Sequence, residues 1–135
     1  MTFVDTNIFV RYLTQDDPVK AQACYELFKQ AAANQITLIT TEAVIAEIVY
    51  ILASKRLYNL GRGEIRARLY PLLSVEGLRL DDRNIYLRAL DVYATYSIDF
   101  EDALIVARMA QQDLADLYSY DRDFDQIPKI SRREP

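Results

Sequence analysis

The sequence predicts an α/β fold in which helices alternate with the strands of a parallel sheet. Short runs rich in β-branched residues, such as residues 2–4 and 36–40, are separated by longer segments with helical periodicity. Strands joined by helices favour parallel pairing with right-handed crossovers. The 135 residues, of which 51% are apolar and 27% charged, predict one globular domain spanning residues 1–135.

Helix caps and apolar spacing delimit each element. Residues 5–7 form a cap cluster after the first strand and predict a short helix over 8–13. Two acids and Pro18 then start a second helix. Its predicted buried face consists of Val19, Ala23, Leu27 and Ala31, beside Cys24 and Phe28. The later elements are a strand over 36–40, an apolar helix over 42–56, a helix over 64–73 that Pro71 kinks or shortens, a strand over 78–80, a helix from Asp82 to Tyr96, a helix opened by Ser97 or Asp99 and ending at 110, a strand within 114–120 and a fifth strand at Ile130.

Composition excludes several classes of active site. Histidine is absent and Cys24 is the only cysteine, so no Ser-His-Asp triad, His-based zinc site or internal disulfide can form. We expect a cytoplasmic protein without a membrane partner, because no signal peptide or bilayer-length apolar stretch occurs. The net charge of −4 means that binding nucleic acid requires a local basic face or a bound cation.

Four isolated acids are the candidate functional residues: Asp5, Glu47, Asp102 and Asp121. Two of them follow predicted strands, and ligands of open parallel sheets bind at the carboxyl ends of strands. Glu47 is the only charge within residues 44–53, which predicts a buried carboxylate. Clustered acids need protons or a cation, and hard oxygen ligands favour Mg²⁺ or Mn²⁺. Nearby hydroxyl and amide groups could orient waters or other ligands: Thr6, Asn7 and Ser119.

Each acid also has a purely structural interpretation. These are helix capping for Asp5, a turn for Asp121, a capping box begun by Asp99 for Asp102, and an ion pair with Arg11 for Glu47. Convergence of all four at one sheet edge would weaken these interpretations, because like charges about 4 Å apart repel by roughly 4 kcal/mol at an effective dielectric near 20.

Four segments, in order along the chain, carry a family resemblance: residues 3–8 followed by Arg11, residues 41–47, residues 99–105 and residues 119–124. Together they resemble the PIN-domain family, in particular the VapC-type ribonuclease toxins. The resemblance implies a PIN-like three-layer fold, with a five-stranded parallel sheet flanked by helices. It also implies a catalytic and metal-binding quartet at Asp5, Glu47, Asp102 and Asp121, with Asp99 and Asp123 as accessory acids.

The resemblance further implies a Mg²⁺- or Mn²⁺-dependent endoribonuclease that acts on RNA and is held by a cognate antitoxin protein. Arg11 and Arg122 are candidates for binding substrate phosphates, with Arg108 a weaker one. The apolar breadth of residues 44–52 indicates either a homodimer interface or ordinary burial. The alternatives are a non-catalytic acidic binding module and a housekeeping PIN nuclease. A phosphotransfer receiver or haloacid-dehalogenase-like enzyme fits poorly, since Asp5 is single and Asn7 stands where the latter needs an acid.

Overall fold

The computed structural model describes residues 1–135 and contains six α-helices, five short strands and one 3-10 helix. In chain order the elements are β1 (Thr2–Phe3), α1 (Thr6–Thr14), α2 (Pro18–Ala32), β2 (Leu38–Ile39), α3 (Glu42–Ala53), α4 (Arg62–Leu73), β3 (Leu78–Arg79), α5 (Arg83–Thr95), α6 (Phe100–Gln111), β4 (Asp116–Tyr118), the 3-10 helix (Arg122–Gln126) and β5 (Ser131–Arg133). The chain divides into two compact units, Met1–Arg83 and Asn84–Pro135. None of the helices combines the length and the apolar character needed to cross a bilayer.

The first unit contains a three-stranded parallel sheet in the order β1-β2-β3. Leu38 of β2 pairs with Thr2 on one side and with Leu78 on the other. Beyond the end of β1, the Val4 N–H donates to the Ile39 carbonyl at 2.8 Å. The buried Thr40 hydroxyl donates to the Val4 carbonyl at 3.0 Å. These bonds hold the chain immediately before Asp5 against β2.

The second unit contains a two-stranded parallel sheet in which Asp116, Leu117 and Tyr118 pair with Ser131, Arg132 and Arg133. Ser119 extends the pairing, since its N–H donates to the Arg133 carbonyl at 3.0 Å. The α/β class and the parallel strands are confirmed. The strand hydrogen bonds form a three-stranded and a two-stranded set, so they do not confirm one five-stranded sheet. Strands of two or three residues make few ladder bonds, which limits how far pairing extends.

Most predicted helices are confirmed, with shifted ends. α1 begins at Thr6, two residues earlier than predicted, because Asp5 is its N-cap. α3 ends at Ala53 rather than at residue 56. α4 reaches Leu73 as predicted, because Pro71 stands in the last turn, where its missing N–H removes only one helical hydrogen bond. β5 begins one residue after Ile130.

The predicted buried face of α2 is wrong in part. The buried residues are Ala21, Cys24, Phe28 and Ala31, whereas Val19 is 82% exposed. A strict four-residue repeat drifts around a helix of 3.6 residues per turn, and the observed spacing of three, four and three follows one face. Phe28 contacts Phe9 of α1 with ring centroids 5.2 Å apart, which fixes that face against α1.

Candidate functional site

Asp5 caps α1, so its structural interpretation is confirmed. Its backbone is extended, with φ −90° and ψ 165°, and its Oδ1 accepts the Asn7 N–H at 3.2 Å. The cap bond uses one carboxylate oxygen, and the residue is exposed. Capping and metal binding are compatible for a carboxylate, because its two oxygens can accept from different partners.

Glu47 is exposed, and the prediction that it is buried is wrong. α3 buries its opposite side through Ile45, Ile48, Val49 and Leu52. Glu47 stands on a stripe with Ala43 and Tyr50, which are also exposed. The sequence pattern does not reveal this exposed stripe, because the residues that share it with Glu47 are alanine and tyrosine and not charged residues.

Thr6 links α1 to Glu47. Its hydroxyl donates to Glu47 Oε2 at 3.2 Å, and the threonine is 3% exposed. The predicted ion pair between Glu47 and Arg11 is not formed. Arg11 Nη1 instead contacts both oxygens of Asp16, at 2.9 and 3.0 Å. The structure therefore orients Glu47 by a neutral donor and engages Arg11, a predicted phosphate ligand, in an internal ion pair.

Asp102 lies in the first turn of α6, and the capping-box interpretation is wrong. Asp99 occupies the N-cap position with extended backbone, but its side chain makes no capping hydrogen bond. Asp102 is half-buried, and burial is the main cause that raises the pKa of its carboxyl. The neighbouring charge of Asp121, the charge of Asp99 and a hydrogen bond with the Asp121 side chain raise this pKa further.

Asp102 and Asp121 therefore form a carboxyl pair. Two carboxyl groups can hydrogen-bond to each other only when one carries a proton, and two ionised groups in contact repel. No basic side chain is among the causes that shift the Asp102 pKa. A cation bound here would offset the repulsion between the two carboxylates.

Hydrogen bonds with Ser119 and Asp123 hold Asp121 in place. Its N–H donates to Ser119 Oγ at 3.0 Å, and its Oδ1 accepts the Asp123 N–H at 2.9 Å. Asp121 is thus the N-cap of the 3-10 helix, which confirms its structural interpretation. Asp123 contributes its backbone N–H to this arrangement, and its side chain is exposed.

Arg132 is a supporting residue that no sequence motif singled out. Its Nη1 donates to the Ser119 carbonyl and to Glu134, both at 3.0 Å, and its Nε contacts Asp125 Oδ1 at 2.9 Å. The hydrogen bond from Arg132 is the main cause that lowers the pKa of Asp125. Arg132 thereby holds the strand end before Asp121 against the 3-10 helix that follows it. Its only sequence signal was membership of a basic C-terminal segment.

The donor atoms in both units suit a hard divalent cation. The first unit provides the carboxylates of Asp5 and Glu47 with the Thr6 hydroxyl, and the second provides the carboxyl pair. All of these are oxygen donors, the ligand type that Mg²⁺ and Mn²⁺ prefer. No group of three or more acidic or cysteine side chains has the geometry to hold a metal ion. The structure thus places Asp102 beside Asp121 in the second unit and joins Glu47 to Thr6, the residue after Asp5, in the first.

Replacing Asp102 by asparagine is expected to raise the melting temperature at pH 7 in EDTA. A pKa raised above the ordinary 3.8 means that ionising Asp102 costs folding free energy. This cost is absent below pH 3.8, grows as pH rises through the raised pKa, and is complete at neutral pH. Melting curves from pH 3 to 7 should show a gain that disappears at acid pH. Glu101→Gln removes the smallest of the charge effects on Asp102 and should give a smaller gain. A lower melting temperature of Asp102→Asn at pH 7 contradicts the prediction.

A comparison with family models relates the chain to known proteins. The family model of the PIN domain matches residues 2–130. A search of curated proteins finds no significant match. The match covers every candidate residue in both units, from Asp5 to Asp123.

Proposed function

The chain belongs to the PIN-domain family, and on this premise we propose that it is a Mg²⁺- or Mn²⁺-dependent endoribonuclease that hydrolyses RNA phosphodiester bonds. PIN domains are typically nucleases; they bind RNA and generally use divalent metal ions. Beyond these general properties of the family, we assign to this chain RNA cleavage, a metal requirement and the residues responsible for both.

The observation that carries the proposal is the carboxyl pair of Asp102 and Asp121. A capping role does not explain Asp102, because Asp99 and Asp102 form no capping box. Burial raises the Asp102 pKa most, and the neighbouring charge of Asp121 raises it further, so the fold keeps this acid where its ionised form is disfavoured. Acids with perturbed pKa values cluster at functional sites. A structural salt bridge would have lowered the Asp102 pKa.

We assign metal binding to Asp5, Glu47, Asp102 and Asp121. The bound cation would lower the pKa of an attacking water and offset negative charge on the phosphate. Thr6 fixes the rotamer of Glu47 through its hydroxyl, and Ser119 fixes the backbone of Asp121. These two hydroxyls act as positioning groups.

Three accessory roles complete the assignment. Asn7 and Asp123 supply the backbone N–H groups that hold the Asp5 and Asp121 carboxylates, and Asp99 adds negative charge near Asp102. Arg122 is exposed and next to Asp121, so it is the better candidate for a substrate phosphate. Arg11 is the weaker candidate, because it would have to exchange Asp16 for the phosphate.

The finer biological role in this proposal is that of the toxin in a type II toxin–antitoxin pair. Its support is the order and spacing of the four segments that resemble VapC-type toxins. The proposed role includes a cytoplasmic location, a cognate antitoxin, a homodimer and a five-stranded PIN-like sheet. Tyr50 on α3 is compatible with a protein interface, since it is 71% exposed and lies on the exposed stripe with Ala43 and Glu47.

Purified protein freed of any co-purifying partner is expected to cleave single-stranded RNA in Mg²⁺ or Mn²⁺ and to be inactive in EDTA. Asp102→Asn should lower the cleavage rate by roughly 100-fold or more, because a metal supplies several kcal/mol of stabilisation and each 1.36 kcal/mol is tenfold. Labelled RNA resolved on denaturing gels gives the rate.

The matched control is Glu101→Gln, which removes one exposed negative charge from the same turn of α6. It should retain the wild-type rate within a few-fold. Cleavage that persists in EDTA, or that is unchanged in Asp102→Asn, contradicts the metal-dependent mechanism. Folded protein that neither cleaves RNA nor binds Mn²⁺ in calorimetry would favour the non-catalytic acidic binding module.

A further inference from the structure

The α5–α6 groove is a cavity of the second unit, lined by α5, α6 and the segment that leads into β5. Its volume is about 820 Å³, within the size range of small-molecule sites. The residues that line it from the two helices and the position after α5 are Arg88, Val92, Tyr96, Val106, Met109 and Ala110. A smaller cavity of about 320 Å³ shares Arg88 and Ala110 with it, so the groove continues along the two helices.

The floor of the α5–α6 groove is apolar, and hydrogen bonds of the backbone hold its walls. Val106, Met109 and Ile127 line the groove and are buried. The Leu114 N–H donates to the Met109 carbonyl at 2.8 Å, and the Ile130 N–H donates to the Ile127 carbonyl at 3.1 Å. A site whose walls are already ordered binds a ligand without the entropic cost of ordering them.

The charged residues of the α5–α6 groove are two cations, Arg88 and Lys129, and one acid, Asp113, and all three are exposed. No salt bridge of the structure engages Arg88 or Lys129. Two cations against one acid give the lining a net positive charge, whereas the whole chain has a net charge of −4. Positive charge beside an apolar floor is complementary to a molecule with an anionic group and an apolar body.

The α5–α6 groove is separate from the carboxyl pair. Asp102 lies in the first turn of α6, whereas Met109 and Ala110 lie in its last turn. The seven residues from Asp102 to Met109 correspond to about 10 Å along the helix axis. None of the four acids assigned to metal binding lines the groove. The proposed nuclease site therefore does not account for it.

We propose that the α5–α6 groove binds a free small-molecule carboxylate with an alkyl or aryl body. The apolar body lies on the floor, and the carboxylate faces Arg88 and Lys129. A guanidinium can donate to both oxygens of a carboxylate, and an ammonium adds a compact positive charge. The apolar body supplies most of the affinity, since each buried methylene strengthens binding by up to about 4-fold. This site goes beyond the proposed RNA cleavage and does not depend on it.

Calorimetric titration of the purified chain with decanoate, below micelle-forming concentrations, tests the proposal. Decanoate should bind more tightly than octanoate, and decyltrimethylammonium, of opposite charge, should bind far more weakly. Arg88→Gln should lower the affinity for decanoate by roughly 5-fold, the upper range for an exposed ion pair. Ala110→Leu, at an exposed helical position, fills part of the groove and should lower it at least as much.

Matched controls make the same two changes at exposed positions outside the groove. Arg56→Gln and Ala32→Leu should both retain the wild-type affinity for decanoate. Melting curves check that every variant is folded, and Arg88→Gln decides the question if Ala110→Leu does not fold.

Three results would overturn the proposal. The first is the absence of decanoate binding, and the second is equal affinity of wild type and Arg88→Gln, or of decanoate and decyltrimethylammonium. The third comes from analytical ultracentrifugation. If Ala110→Leu dissociates an oligomer that the wild type forms, a second copy of the chain covers the groove and no small molecule occupies it.

Discussion

Asp5→Asn is expected to reduce RNA cleavage by roughly 100-fold or more while changing the free energy of unfolding by at most about 1 kcal/mol. Asparagine caps helices about as well as aspartate, so the bond from the Asn7 N–H to the residue 5 side chain can persist. The substitution therefore removes a proposed metal ligand and leaves the cap in place. Initial cleavage rates in Mn²⁺ and urea denaturation in EDTA measure the two effects.

Asp17→Asn is the matched control for Asp5→Asn. Asp17 is the N-cap of α2, and its Oδ1 accepts the Lys20 N–H at 3.1 Å, so both variants make the same chemical change at the same kind of position. Only Asp5 belongs to the proposed site. We expect Asp17→Asn to retain the wild-type cleavage rate within a few-fold. Equal activity losses in the two variants would show that the Asp5 effect reflects capping or net charge, and Asp5 would lose its assignment as a metal ligand.

Gly77→Ala is expected to destabilise the protein by about 3 kcal/mol, at the upper end of the usual cost of overpacking a core. A Cβ at Gly77 would lie 2.1 Å from the Ala31 carbonyl oxygen and 2.7 Å from the Ala31 carbonyl carbon. These are backbone atoms of α2 and cannot rotate away as a side chain would. The Gly77 N–H also donates to the same oxygen at 3.1 Å, so a shift of this segment would strain that hydrogen bond.

Gly63→Ala provides a control of opposite sign. No atom lies within 4 Å of a Cβ built at Gly63, which stands in the first turn of α4. Alanine reduces the entropy of the unfolded chain there and should stabilise the protein by about 0.4–1 kcal/mol. Urea denaturation of both variants measures the difference, and comparable effects at the two glycines would refute the close approach at Gly77.

Local signals in the sequence determined most of the helices and several parts of the candidate site. Asp17 followed by Pro18 started α2, and the cap at Asp5 and the turn at Asp121 followed from single polar residues after apolar runs. Such features depend on hydrogen bonds between residues two or three positions apart, as from the Asn7 N–H to Asp5. Neighbours in sequence are sufficient to specify them.

Properties that depend on distant residues were predicted less well. The exposure predicted for Glu47 was wrong because its neighbours on α3 are apolar, and only the packing of the helix selects which side faces solvent. The four motif segments predicted Asp102 and Asp121 as site residues, but nineteen positions separate them in the chain and their direct carboxyl contact required the fold.

The sequence by itself thus determined the α/β class, the caps of α1 and α2 and the choice of candidate acids. The tertiary structure decided which acids are paired, which hydroxyl orients Glu47, and how Arg132 holds the segment before Asp121. The physical reason is the separation along the chain over which each effect acts. Capping and periodicity act within one or two helical turns, whereas burial and side-chain contacts between elements arise only when segments distant in the chain pack together.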